Sequence, residues 1–498
     1  MESYEEQYTR LLNEIEKLAR SFLEAKFNSL QELWDIEIAL VNYQSGLWKA
    51  IDSEQAIQQE AKRKKAEIVS TKRGEWIPQA QQLDAKIKQA DDRIKIYQHA
   101  HQLSRQLGDA FAWGILGDWL LPLTKKPSGP THDGHNLPKD HGLTGMLAIA
   151  QSLSAVGAGF PILHDITNCL CIGDITFYSP DKDHSTIEVK THLKDQSEGN
   201  LTLDVETHII ALKGSNDINK WRIIDDRIPK SPSFSDKADE RVRSQYSNQQ
   251  SPRKKRQIER MGEAKVWQST PVNQVCELAN HSKGITIDYQ PDETTHNWQI
   301  VRELIIKARV DGIASCAVDN ALVYVVIYQN SPLTYPWSKD PLKSIVRSSD
   351  KVIADTFSIL YSEKEKNRLW IPNGSCPLDV IPFFLYSLPI DMIIDIMWGR
   401  LSIGVVANLG KIVAALEATG LEVKLPKDEK DFGQFFLPMS AQRVLPDGRI
   451  IQIELHQMRD LALKMFYEFL SLPGFVRLMS KVVKNLEEHV SKNEEQEI

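Results

Sequence analysis

Asp174, Glu188 and Lys190 are the residues of this chain whose types and spacing could do chemistry. They lie in a stretch from Ile172 to His192 that has the pattern of two short strands joined by a polar turn. The first strand, CLCIGDITFY, carries Asp174 among apolar and β-branched residues. The turn, SPDKDHS, is dense in Pro, Asp and Ser, which break strands and favour reversals. In the second strand, TIEVK, alternation sends Glu188 and Lys190 to one face and Ile187 and Val189 to the other. Folded as a hairpin, Asp174 falls near Glu188 and Lys190. Two carboxylates so close repel unless a cation joins them, and Mg²⁺ or Mn²⁺ prefers such oxygen ligands. A metal held there polarises a phosphoryl oxygen and lowers the pKa of bound water. A neighbouring lysine can steer that water or neutralise charge building on a phosphate. The alternative is a surface hairpin with an ordinary Glu–Lys pair. Against that alternative stands the cost of placing carboxylates in apolar strands.

Gly173-Asp174 followed by Ile187-Glu188-Val189-Lys190 resembles the PD-(D/E)XK motif of restriction-endonuclease-like nucleases. The resemblance covers residues 105 to 265, with Gly173 in place of the motif's proline. It implies that Asp174 and Glu188 bind Mg²⁺ (or Mn²⁺), that Lys190 completes the catalytic set, and that a phosphodiester bond in nucleic acid, DNA before RNA, is cleaved. In that family a helix before the catalytic strands often contributes a further acid, which makes Asp109 a candidate. Asp109 could equally cap a helix after Gly108 or make a solvent-facing pair. Two competing functions stay open: a catalytically silent nucleic-acid-binding protein of nuclease fold, and a coiled-coil structural or regulatory protein.

The densest positive cluster is Arg253, Lys254, Lys255, Arg256 and Arg260, whose functional reading is phosphate contact. A solvated helix face is the alternative. His164 and Asp165, just ahead of the hairpin, could support the site from behind, although a satisfied core histidine is the simpler reading.

The elements that must position these residues follow a three-part layout. Residues 1–105 form a helical arm. Leu11, Leu12, Ile15, Leu18, Ala19, Phe22 and Leu23 share one helix face. Leu83, Ile87, Ala90, Ile94, Tyr97 and His101 make a heptad seam, expected to serve either an antiparallel helical hairpin or a coiled-coil homodimer. Residues 106–269 are expected to be an α/β, mixed-sheet, restriction-endonuclease-like core, with LTLDVETHIIALKG extending the sheet. Residues 270–498 read as an α+β domain. It contains a helix at NWQIVRELIIKARV, a hairpin turning at Asp319-Asn320, apolar helices at about 380–399 and 403–419, and strands at LEVKLP and RIIQIELHQ.

The chain has 498 residues, enough for several domains. Its 42% hydrophobic and 26% charged content is that of a globular protein. A net charge of −7 means that any nucleic-acid-binding surface must be local. An odd count of five scattered cysteines argues against a disulfide framework and for a reducing, cytoplasmic setting. The most apolar run, VIPFFLYSLPIDMIIDIMWG, is interrupted by Pro382, Pro389, Asp391 and Asp395, which suits a buried core element and no membrane span.

Overall fold

The computed structural model describes residues 3–25, 30–71, 76–116, 141–155, 160–168, 170, 175–178, 185–197, 200–211, 275–277, 283–285, 296–329, 369–370, 382–424, 440–444, 448, 450–453 and 464–495. It combines helices with small sheets, every pairing of which is antiparallel among the described residues. The chain divides into two compact units. One comprises Met1–Gly114, Ile166–Asn168 and Ile287–Ile498; the other comprises Ile115–Asp165 and Cys169–Thr286. The helical arm and the C-terminal α+β residues, expected as separate domains, thus fall into one unit.

The first unit begins with α1 (Tyr4–Glu24), whose N-terminus is closed by a capping box. Ser3 Oγ accepts from the Glu6 amide at 3.1 Å, and the Ser3 amide donates to Glu6 at 2.8 Å. Its apolar face buries Leu11, Leu12, Ile15, Ala19 and Phe22, as the periodicity requires. Helices α2 (Leu30–Thr71) and α3 (Trp76–Leu116) then run antiparallel. Lys65 pairs with Asp84, Glu54 with Arg93, and the Trp48 ring meets His101 edge-on at 5.0 Å. The numbering of these contacts falls on one helix as it rises on the other. The heptad seam is therefore used within the chain, with Ala90, Ile94 and His101 buried. Against its base lies α1, parallel to α3. Tyr4 bonds to the Gln89 carbonyl, Tyr8 to His99, and Phe22 packs on Phe111.

The second unit holds α4 (His141–Ala155), β1 (Phe160–Leu163), β2 (Ile175–Tyr178), β3 (Ser185–Ser197) and β4 (Asn200–Ala211). The four strands form a sheet in the order β1-β2-β3-β4. A mixed sheet was expected here, but neighbours joined by short reversals pair antiparallel, and the described strands contain no crossover long enough to bring two of them parallel. A small ribbon, β5 (Val275–Glu277) with β6 (Lys283–Ile285), completes the described part.

Back in the first unit, α5 (Trp298–Asp311) ends on Gly312 at φ +82°, the left-handed cap that glycine adopts at little cost. Next come β7 (Ile313–Val318) and β8 (Leu322–Tyr328). Asp319 and Asn320, both at φ +53°, make the reversal between them, as the Asp-Asn dipeptide suggests. A short β9 (Leu369–Trp370), then α6 (Ile390–Met397), β10 (Leu401–Asn408) and α7 (Leu409–Glu417) follow. Residues 403–408 were expected to begin a helix. They form a strand because β8 offers a ladder to Ile403, Val405 and Val406, whose branched side chains suit a pleated surface. The sheet order is β7-β8-β10-β9. Strands β11 (Glu422–Lys424), β12 (Ser440–Val444) and β13 (Ile450–Ile453) make a three-stranded sheet, and α8 (Leu472–Glu495) ends the described chain.

Candidate functional site

The hairpin expected at the centre of the chain is present as β2 and β3, paired antiparallel with Ile175 opposite Ile187. Glu188 and Lys190 lie on β3. Asp174 lies outside the described residues, as do Arg253, Lys254, Lys255, Arg256 and Arg260.

The next pairing supplies residues that the sequence reading missed. In the β3–β4 register, Glu188 stands opposite His208, Lys190 opposite Glu206 and His192 opposite Asp204. Each of these positions matches an acid with a basic or imidazole residue. The intervening positions pair Ile187 with Ile209 and Val189 with Thr207. Directly opposed residues share a face of the sheet. The signal was available in LTLDVETHIIA, where Asp204, Glu206 and His208 recur at period two. What could not be read was the register that opposes them to Glu188 and Lys190.

His164 is a satisfied core histidine. It is 2% exposed, and its Nε2 lies 2.7 Å from Thr176 Oγ1 on β2. Asp165 is buried beside it in a turn of 3₁₀ helix.

Asp109 proves to be neither a helix cap nor a surface acid. It sits within α3, 5% exposed, and its carboxylate grips the segment Ile166–Asn168. Oδ1 accepts from the Asn168 amide at 2.5 Å, and Oδ2 accepts from Asn168 Nδ2 at 2.8 Å. One helical turn earlier, Arg105 donates through Nε to Asn168 Oδ1 at 2.8 Å and through Nη2 to the Thr167 carbonyl. From α2, Gln44 Nε2 donates to the Ile166 carbonyl at 3.1 Å. Asp109 is thus committed to this segment, with both carboxylate oxygens accepting from Asn168. Gly108 explains the close approach: a Cβ there would lie 2.1 Å from the Ile166 carbonyl oxygen. A glycine inside a helix costs about 1 kcal/mol relative to alanine and asks for such a packing reason. That glycine, between Arg105 and Asp109, was the legible trace of the contact.

The carboxylates of Asp174 and Glu188 are oxygen donors of the kind a hard divalent cation prefers. Among the described residues there is no group of three or more His, Cys, Asp or Glu arranged to hold a metal ion. No helix among them is long and apolar enough to cross a membrane. No family model, curated protein or solved structure matches this chain.

Proposed function

We propose that this chain hydrolyses phosphodiester bonds in nucleic acid, with DNA the expected substrate, through a site formed by Asp174, Glu188 and Lys190 on a restriction-endonuclease-like core. The observation that supports it is the antiparallel pairing of Ile175 with Ile187. The reading requires that register to run one step further, to Asp174 and Glu188. Those two carboxylates would then hold Mg²⁺ or Mn²⁺, which supplies Lewis acidity and an acidified water when bound. Lys190 has donors and no acceptor, so it takes no place among the ligands. Its ammonium instead offsets charge developing on the phosphate. The cluster Arg253–Arg256, with Arg260, contributes phosphate contacts that the chain's net negative charge does not provide elsewhere.

The β3–β4 register favours a second reading, in which Glu188 and Lys190 belong to a ladder of matched charges and the protein is a non-catalytic binding or structural one. One assay separates the two: cleavage of linear, circular and branched DNA, and of RNA, with Mg²⁺ or Mn²⁺. Lys190→Ala should leave metal affinity nearly unchanged and lower turnover on the order of 10²–10³-fold, the usual effect of losing one transition-state contact. Glu188→Ala and Asp174→Ala should lose metal and turnover together. Neutralising Arg253–Arg256 should weaken binding and flatten its salt dependence, with turnover at saturating DNA less affected. If wild-type protein binds these substrates and cuts none, the catalytic reading fails and the charge ladder stands; if it cuts equally well without Glu188 and Lys190, the assignment of catalysis to these residues fails.

A further inference from the structure

The segment Ile166–Asn168 connects β1, which ends at Leu163, to the stretch that leads through Asp174 into β2. It belongs to the unit built from the helices, whereas the residues on both sides belong to the other. Its polar groups are engaged by the helices. The carbonyls of Ile166 and Thr167 accept from Gln44 and Arg105, and the Asn168 amide and side chain are held by Asp109 and Arg105. Arg105 is 3% exposed, Thr167 0% and Asp109 5%. Hydrogen bonds to charged groups in so dry a setting are among the stronger ones in a protein. They also depend on donor and acceptor order: Arg105 donates to Asn168, and Asn168 donates to Asp109.

We propose that Arg105, Asp109 and Asn168 are positioning residues, a clamp on α3 that sets the chain entering β2 and thereby the β2–β3 hairpin. In this role Asp109 serves the candidate site through the backbone and never touches substrate. The inference rests on the proposed function for its importance to catalysis, but not for its structural content.

The donor order supplies the test. Asp109→Asn turns an acceptor into a donor, so in either orientation of the new amide a donor faces the Asn168 amide or its side-chain Nδ2. Asn168→Asp opposes two carboxylates. The double exchange, Asp109→Asn with Asn168→Asp, restores the three bonds that Asn168 makes to Asp109 and Arg105. The new side-chain amide at position 109 accepts from the backbone amide of residue 168 and donates to the new carboxylate, which still accepts from Arg105. Hydrogen exchange at the amides of β2 and β3 is the readout, with the amides of α1 as internal reference. Each single variant should accelerate β2 exchange about ten- to a hundredfold, the scale of one lost charged hydrogen bond expressed as local opening, while α1 is unchanged. The double variant should return it to the wild-type rate. Should Asp109→Asn fail to fold, Asn168→Ala serves instead, because it keeps the backbone bond to Asp109 and introduces no charge; it should accelerate β2 exchange likewise. Unchanged β2 exchange in the folded single variants, or a double variant no better than its parents, overturns the clamp. Nuclease turnover measured on the same proteins keeps the two ideas apart. If wild type cuts nothing yet exchange follows the expected pattern, the clamp holds and the catalytic reading falls. If wild type cuts and exchange does not respond, the reverse is true.

Discussion

His99 and His101 on α3 are held neutral by the packing around them. Burial lowers both pKa values from the ordinary 6.5 to about 4, with the Arg105 guanidinium adding to the effect at His101. Below pH 6.5 the unfolded chain takes up protons at these positions that the folded chain refuses. The stabilisation is therefore complete above the unfolded value and is lost as pH falls toward about 4. Between pH 7 and pH 5 each histidine should remove about 2 kcal/mol from the stability of the helical unit. Urea denaturation followed at both pH values checks this. His101→Gln should reduce the pH dependence by about half, and stability independent of pH over that range would show that neither group is held neutral.

At the scale of elements, the hairpin of α2 and α3 shows how one seam serves two stretches. Toward the base, α1 covers it, and Ala90, Ile94, Ile96, Ala100 and Leu103 are buried. Toward the tip the two helices meet through Lys65–Asp84, the small buried Ala61 and Ala80, and half-buried residues such as Ile68 and Leu83, while Val69 and Ile77 are exposed. Substitution along the seam should report this gradient. Ile94→Asp should cost at least the roughly 2–5 kcal/mol of truncating a buried isoleucine, read by denaturation. Ile87→Asp, at a half-buried position, should cost much less. If the seam instead joined two chains, both variants would halve the sedimenting mass with little loss of fold.

Over the whole molecule, the first and last thirds of the chain share a unit, and α1 makes one of the joins. Its Glu16 accepts from Trp398 Nε1 at 2.6 Å and from Arg20 at 2.9 Å, while Arg20 reaches Asp391 at 3.3 Å. Trp398 is 9% exposed, so the bond to Glu16 satisfies a buried donor, whereas the Arg20–Asp391 pair is exposed and worth little. Arg400 lies over the Trp398 ring at 5.3 Å and pairs with Asp395, which also binds Arg309 on α5. A chain lacking residues 1–25 should therefore show faster hydrogen exchange along Ile390–Met397, although α6 lies hundreds of residues away in sequence. Exchange in α6 that ignores the deletion would mean that the arm and the C-terminal residues fold independently.

Local physics made much of this readable beforehand. The apolar face of α1, the helical character of residues 1–105, helix α5, the Asp319-Asn320 reversal and the central hairpin follow from side-chain period and turn chemistry. Both act within a few residues, so a lone sequence exposes them. The rest depended on partners distant in the chain. Residues 401–408 became a strand because β8 needed a neighbour, and an apolar β-branched run takes either form until one is offered. Asp109 looked like a catalytic candidate because Asn168, 59 residues later, is invisible from its surroundings. Glu188 and Lys190 stand opposite His208 and Glu206 only through the register of β4. The sequence alone determined which residues could be acids, cations and turns. Tertiary structure decided which of them face each other, because hydrogen-bond pairing and burial compare positions that the chain order keeps apart.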